Sequence, residues 1–206
     1  MNRTARTTAR LAGALIAGSL TLTACSSDTG GESAASSSSS EQASFNEADV
    51  TFAQGMLPHH EQAVEMAGMV EGRTDNPEII DLAERIEAAQ GPEIETLTGW
   101  LEDWGQDVPE GGHDMGSTGS GSMGSDSMGS MMSEQDMADL MAASGPQFDQ
   151  LFLSQMVEHH TGAVDMAQTE VDEGQNADAV QMATDIVDSQ TAEIEEMQLL
   201  LSNLGG

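Results

Sequence analysis

The stretch Met56-Leu57-Pro58-His59-His60-Glu61-Gln62-Ala63-Val64-Glu65-Met66-Ala67 returns at an offset of 100 residues as Met156-Val157-Glu158-His159-His160-Thr161-Gly162-Ala163-Val164-Asp165-Met166-Ala167. The match runs on without a gap. Ala83, Ile86, Gln90, Glu93, Ile94, Glu95, Leu101 and Gly105 recur as Ala183, Ile186, Gln190, Glu193, Ile194, Glu195, Leu201 and Gly205, and Phe52 as Phe152. Self-similarity at a fixed offset marks a duplication, so each copy tests what is said of the other.

Each copy reads as two helices. Downstream, Ile79, Leu82, Ile86, Gln90, Ile94, Leu97, Leu101 and Trp104 step by three or four, as do Met182, Ile186, Gln190, Ile194, Met197, Leu201 and Leu204. This spacing predicts amphipathic helices of roughly 25 residues, near 37 Å at 1.5 Å per residue. Upstream, at 100° per residue, Phe52, Met56, Ala63, Ala67 and Val70 form one stripe, with His59 and His60 on its two shoulders and Glu61 and Glu65 pointing away. Asn76-Pro77 supplies an N-cap and a first-turn proline, and Gly174 a stop before the fourth helix. Pro58 would kink the first helix, but Glu158 fills the equivalent place, so the repeat does not require a kink. Two helical hairpins, each with an apolar stripe, bury those stripes against each other. The expected fold is all-α, a ferritin-like four-helix bundle made of two duplicated hairpins.

The flanks divide the chain further. Residues 1–24 read as a lipoprotein signal peptide, with Arg3, Arg6 and Arg10, an apolar run from Leu11 to Leu22, and then Thr23-Ala24 before Cys25. The apolar run falls short of the ~20 residues that span a bilayer. Leu22-Thr23-Ala24-Cys25 resembles a bacterial lipobox, which makes Cys25 the lipidation site and excludes an internal disulfide, since the chain has one cysteine. Residues 25–44 read as a disordered Ser-rich tether, 45–105 as the first hairpin, 106–133 as a Met/Gly/Ser-rich linker and 134–206 as the second hairpin. The expected location is outside the cell, anchored by lipid to the outer face of the membrane. The formal charge is -31, and the signal peptide holds three of the five basic residues. Such a surface repels nucleic acid and anionic headgroups and draws cations within a Debye length of about 8 Å.

Four of the five histidines form the two identical pairs, His59-His60 and His159-His160. Met56, Met66, Met156 and Met166 frame them at identical spacings, which points to eight candidate metal ligands. Di-iron bundles require Glu-x-x-His; here Met56 and Met156 stand three residues before His59 and His159. Thioethers beside imidazole favour Cu(I), and by the same softness Ag(I), with Cu(II) accepted by imidazole nitrogen. Structural zinc is disfavoured, because no Cys-x-x-Cys exists. A histidine on an apolar stripe is more often a packing residue, and methionine at helical spacing more often core filler; duplication and exclusivity weigh against that for the histidines. Gln90 and Gln190 interrupt apolar stripes at equivalent positions and are expected to accept from histidine ring N–H groups. The linker adds His113, Met115, Met123, Met128, Met131 and Met132, an auxiliary set that can wrap a soft ion or simply be a spacer.

At these residues the chain resembles the CopM-like bacterial family, whose exported ferritin-like domain long had no assigned function. The signature is Met, then His-His, then Ala-hydrophobic-acidic-Met-Ala, carried by Met56 to Ala67 and by Met156 to Ala167; a later Gln-x-x-Glu-Ile element is carried by Gln90 to Ile94 and Gln190 to Ile194. The resemblance covers about Phe45 to Gly105 and about Gly145 to Gly205. It implies a helical exported domain, with copper binding and tolerance belonging to some members. Glu158 departs from the Met-x-Pro-His-His form of the first copy. The expectation is a non-enzymatic copper-binding lipoprotein that sequesters or hands on copper, with a copper-handling protein as partner. Its rivals are a helical scaffold for a protein partner, a metal-dependent oxidase and, more weakly, a haem protein.

Overall fold

The computed structural model describes residues 44–109 and 131–205. The signal peptide, Cys25, the tether up to residue 43 and the linker residues His113, Met115, Met123 and Met128 lie outside the described residues. Five helices follow in order: α1 (Glu47–Gly68), α2 (Pro77–Asp103), α3 (Glu134–Ala142), α4 (Pro146–Glu173) and α5 (Ala177–Leu204). None of them is long and apolar enough to cross a membrane.

Local chemistry explains where the helices begin. Asn46 accepts from the backbone N–H groups of Ala48 and Asp49, while Asp49 reaches back to the Asn46 N–H, a capping box at the start of α1. Asn76 and its duplicate Asn176 cap α2 and α5 in the same way, accepting from Glu78 and from Asp178 and Ala179. The expected Pro77 start is observed, and Gly174 is the C-cap of α4. Before α4 the chain turns at Gly145, whose φ of 59° lies where side chains are strained, and Pro146 then opens the helix without a side-chain cap. Pro58 and Pro92 sit inside continuous helices.

α1 pairs with α2 and α4 with α5, and the two hairpins meet mainly through α1 against α4. The expected stripe of α1 is buried: Phe52, Met56, Ala63, Ala67 and Val70 are each at most 4% exposed. The histidine shoulders, however, are as deep as the stripe, because α1 is covered on one side by α2 and on another by α4. On α5 the stripe runs through Ile186, Gln190, Met197 and Leu200, while Leu201 is half-buried and Leu204 exposed. The buried line thus advances nearer 3.5 residues per turn, as in a bundle seam.

Helix α3 was not expected from the sequence. Ser133 caps it through a capping box with Asp136, and its Leu140 enters the core beside Met132, Phe148 and Phe152. The backbone of Met132 is pinned at both ends by Gln62, whose Oε1 accepts from Met132 N–H at 2.7 Å and whose amide donates to Met132 O at 3.0 Å. Arg73 donates to the carbonyls of Met141 and Ala143, and its own carbonyl accepts from Gly145. Met132 therefore serves here as packing at the linker's end, its side chain shut into the core, while Met131 is half-buried. We predict that Leu140→Ala lowers unfolding free energy by about 2–5 kcal/mol, as for other fully buried leucines, whereas Met141→Ala, half-exposed on the same helix, changes it by less than about 0.5 kcal/mol. Urea denaturation of both variants checks it.

Candidate metal centre

The α1–α4 contact places the two histidine pairs together. The rings of His59 and His159 stand with centroids 3.7 Å apart and planes tilted by 38°. His160 follows at 6.3 Å from His159. All four histidines are at most 1% exposed. Met56 and Met156, one turn before each pair, are fully buried, as is Met66; Met166 is half-buried. His59 and His159 therefore meet across the contact between the hairpins, each with its paired histidine beside it.

Each second histidine is held from the neighbouring helix. His60 Nε2 lies 2.6 Å from Glu93 Oε2, and His160 Nε2 lies 2.8 Å from Glu193 Oε2. A carboxylate only accepts, so each Nε2 is the donor and Nδ1 faces away from the glutamate. The amides expected in this role, Gln90 and Gln190, sit one turn earlier on the same helices, 3% exposed, and their Oε1 atoms have no hydrogen-bond partner. The carboxylates take the imidazole N–H because an ionised acceptor forms the stronger bond. Their duplication was legible in the repeat: Glu93 and Glu193 stand in the same Gln-x-x-Glu-Ile element.

The centre is rich in unsatisfied polar atoms. His60 Nδ1, His160 Nδ1, Gln90 Oε1 and Gln190 Oε1 are buried without hydrogen-bond partners. Each such atom in a dry core costs on the order of 1–3 kcal/mol, so the set fits a site completed by a ligand. Burial, reinforced by His60 and His160, pushes His59 down to about 3. Burial and the other three histidines hold His159 well below the usual imidazole range. Both rings are thus neutral, the form that ligates metal. Among the described residues, no three His, Cys, Asp or Glu side chains already surround a common point. His59 and His159 pack against each other as tilted rings instead, so coordination requires a ring to turn or a thioether to join.

Residues 49–201 match the family described as "Domain of unknown function (DUF305)". No curated protein matches the chain. Among solved structures, a DUF305 protein of Streptomyces coelicolor, taken to be secreted, is 33% identical, with a TM-score of 0.67 over 77% of this chain and 94% of that one. CopM in its Cu(II)-bound form is 31% identical, with a TM-score of 0.61 over 75% of this chain and 96% of that one. CopM in its Cu(I)-bound form is 29% identical, with a TM-score of 0.61 over 77% and 98%. An all-helical domain with the duplicated Met-x-x-His-His elements, matched by this family over most of its length, makes the chain a member of the DUF305 family with CopM among its structural relatives.

Proposed function

We propose that this protein is an exported copper-binding lipoprotein that sequesters or hands on Cu(I), and also accepts Cu(II), through the joint centre of His59, His60, His159 and His160 with Met56, Met66, Met156 and Met166. The carrying observation is the 3.7 Å approach of His59 to His159 inside a core where His60 Nδ1 and His160 Nδ1 have no hydrogen-bond partner. Imidazole and thioether are the donor pair that favours copper and silver over hard ions. CopM, solved with Cu(I), Cu(II) and silver, supports that choice. Export and lipidation rest on Arg3 to Cys25. The role is binding rather than turnover, with a copper-handling protein as the recipient.

Metal analysis of tag-free protein, purified under reducing and under oxidising conditions, should find copper in both. Protein that takes up no copper from a competing chelator at neutral pH would refute the reading. Replacing Met56 and Met156 by Leu keeps volume and removes the thioethers, so Cu(I) affinity should fall at least tenfold while Cu(II) affinity changes less. Competition titrations in each redox state separate the two.

Glu93→Gln together with Glu193→Gln should weaken copper binding about 10–100-fold with little loss of helicity, because the ring orientation and tautomer are no longer fixed. Isothermal titration alongside circular dichroism checks this. The pH behaviour departs from that of free histidine, which loses affinity as pH falls through about 6.5. With His59 pushed down to about 3 and His159 also depressed, copper bound by these two rings should persist at pH 5. The same shifts set a stability window. The unfolded chain binds more protons than the folded one between about 6.5 and 3, so metal-free stability should be intact at neutral pH and fall as pH drops through that interval. Thermal unfolding of metal-free protein across that range reads it directly.

A further inference from the structure

The two ends of the α1–α4 contact use the same positions of the repeat but not the same side chains. At one end Phe148, Leu151 and Met69 pack into the core with Val70 and Met66, together with Met132 and Leu140 of α3. At the other end their counterparts are Ala48, Thr51 and Thr169, each cut back to a small side chain. The result is an open groove of about 340 Å³, lined by these three residues and Met166, with the exposed carboxylates of Glu47 and Glu173 beside them. Glu170 also borders it, but its carboxyl is turned onto Asp49 and Gly174.

This difference decides which of the candidate methionines meets solvent. Met66, at the filled end, is fully buried, whereas its twin Met166 is half-buried and lines the groove. Gly55 leaves room on the α1 side. Its twin Gln155 fills that place at the other end, where its amide donates to Asp136 O of α3 at 3.2 Å. A Cβ at Gly55 would stand 3.4 Å from Met166 Sδ, so the thioether lies against α1 at that point. The next residue is the fully buried Met56, and one turn further comes His59. Soft donors thus run inward from the groove, from a half-buried methionine to a buried one and then to a ring.

We propose that this groove is the mouth of the copper centre, and that Met166 is the first protein ligand an entering Cu(I) ion meets before it passes to Met56 and the histidines. The proposal rests on the copper reading and adds a direction to it: metal enters and leaves at the open end, not at the end filled by α3. The histidine rings are at most 1% exposed, so an ion reaches them only past other side chains. Methionine suits the first contact, because its sulfur prefers a soft ion and its unbranched chain can turn to pass that ion on. Glu47 and Glu173 place negative charge beside the opening, which raises the local concentration of cations.

Filling the mouth with the residues of its twin tests this without touching a ligand. The mature protein is given one equivalent of Cu(I) as its acetonitrile complex, and stopped-flow absorbance follows uptake and then release to an excess of chromophoric chelator. Ala48→Phe with Thr51→Leu should slow both steps about tenfold, because an obstructed path changes rates and not the bound state. Affinity from chelator competition should therefore stay within about twofold of wild type, since both rates fall together. Gly55→Gln, which also favours helix, covers the case in which the double variant misfolds, and should slow both steps about threefold. Wild-type rates in a folded variant would overturn the entry route and leave the copper reading standing. Slower uptake with unchanged release would overturn it as well, since that marks a weakened site and not a narrowed path. Wild-type protein that takes up no Cu(I) would overturn both.

Discussion

The close, tilted contact of His59 with His159 is the one on which this structure turns. The two hairpins meet through α1 and α4, and the middle of that seam holds polar rings where a bundle would ordinarily place leucine. Apolar clusters lie on either side, one around Phe148, Phe152 and Leu140 and the other around Phe52, Leu97 and Leu101. They supply the burial that brings the hairpins together, and the histidines are carried into the core with them. His59 and His159 tolerate this as neutral rings, and the other two are secured by carboxylates from α2 and α5. What remains is a cluster of ring nitrogens and glutamine carbonyls that the protein itself does not satisfy.

The helices, their pairing and most of the core were legible because the repeat displayed the same 3.6-residue pattern twice. Asn76-Pro77 marked a helix start for a local reason, a side chain accepting from a free backbone N–H, and local chemistry is what a sequence shows best. The depth of the histidines was not legible. A single-helix projection puts His59 and His60 on shoulders, and only the packing of α1 against two partners turns both shoulders inward. The identity of the residues that orient the rings followed the same limit: the motif carried Gln90 and Glu93 together, and which of them reaches His60 depends on the crossing of α1 and α2. Helix α3 was hidden by its setting, nine residues after a Gly/Ser/Met stretch, too short for periodicity to declare itself.

Duplication also shows what each half has been free to change. The inner histidines, the framing methionines and the glutamates on α2 and α5 are kept in both copies. The outer ends have diverged. One is sealed by α3, Met132 and the Arg73 carbonyl contacts. The other keeps an open acidic groove with Glu170 where its twin has Val70. The two copies thus agree where the hairpins meet and differ at the ends of the bundle.

The central claim is that the two His-His pairs form one centre rather than one site per hairpin, and the stoichiometry of tight copper binding tests it most directly. Cu(I) titrations against a competing chelator would compare wild type with His59→Gln, His159→Gln and the double variant, each verified as folded. A shared centre predicts that either single replacement removes the whole of the tightest binding, with the double variant no worse. If each single variant instead loses half of the tight copper and only the double loses all of it, the hairpins bind independently and the joint centre is wrong.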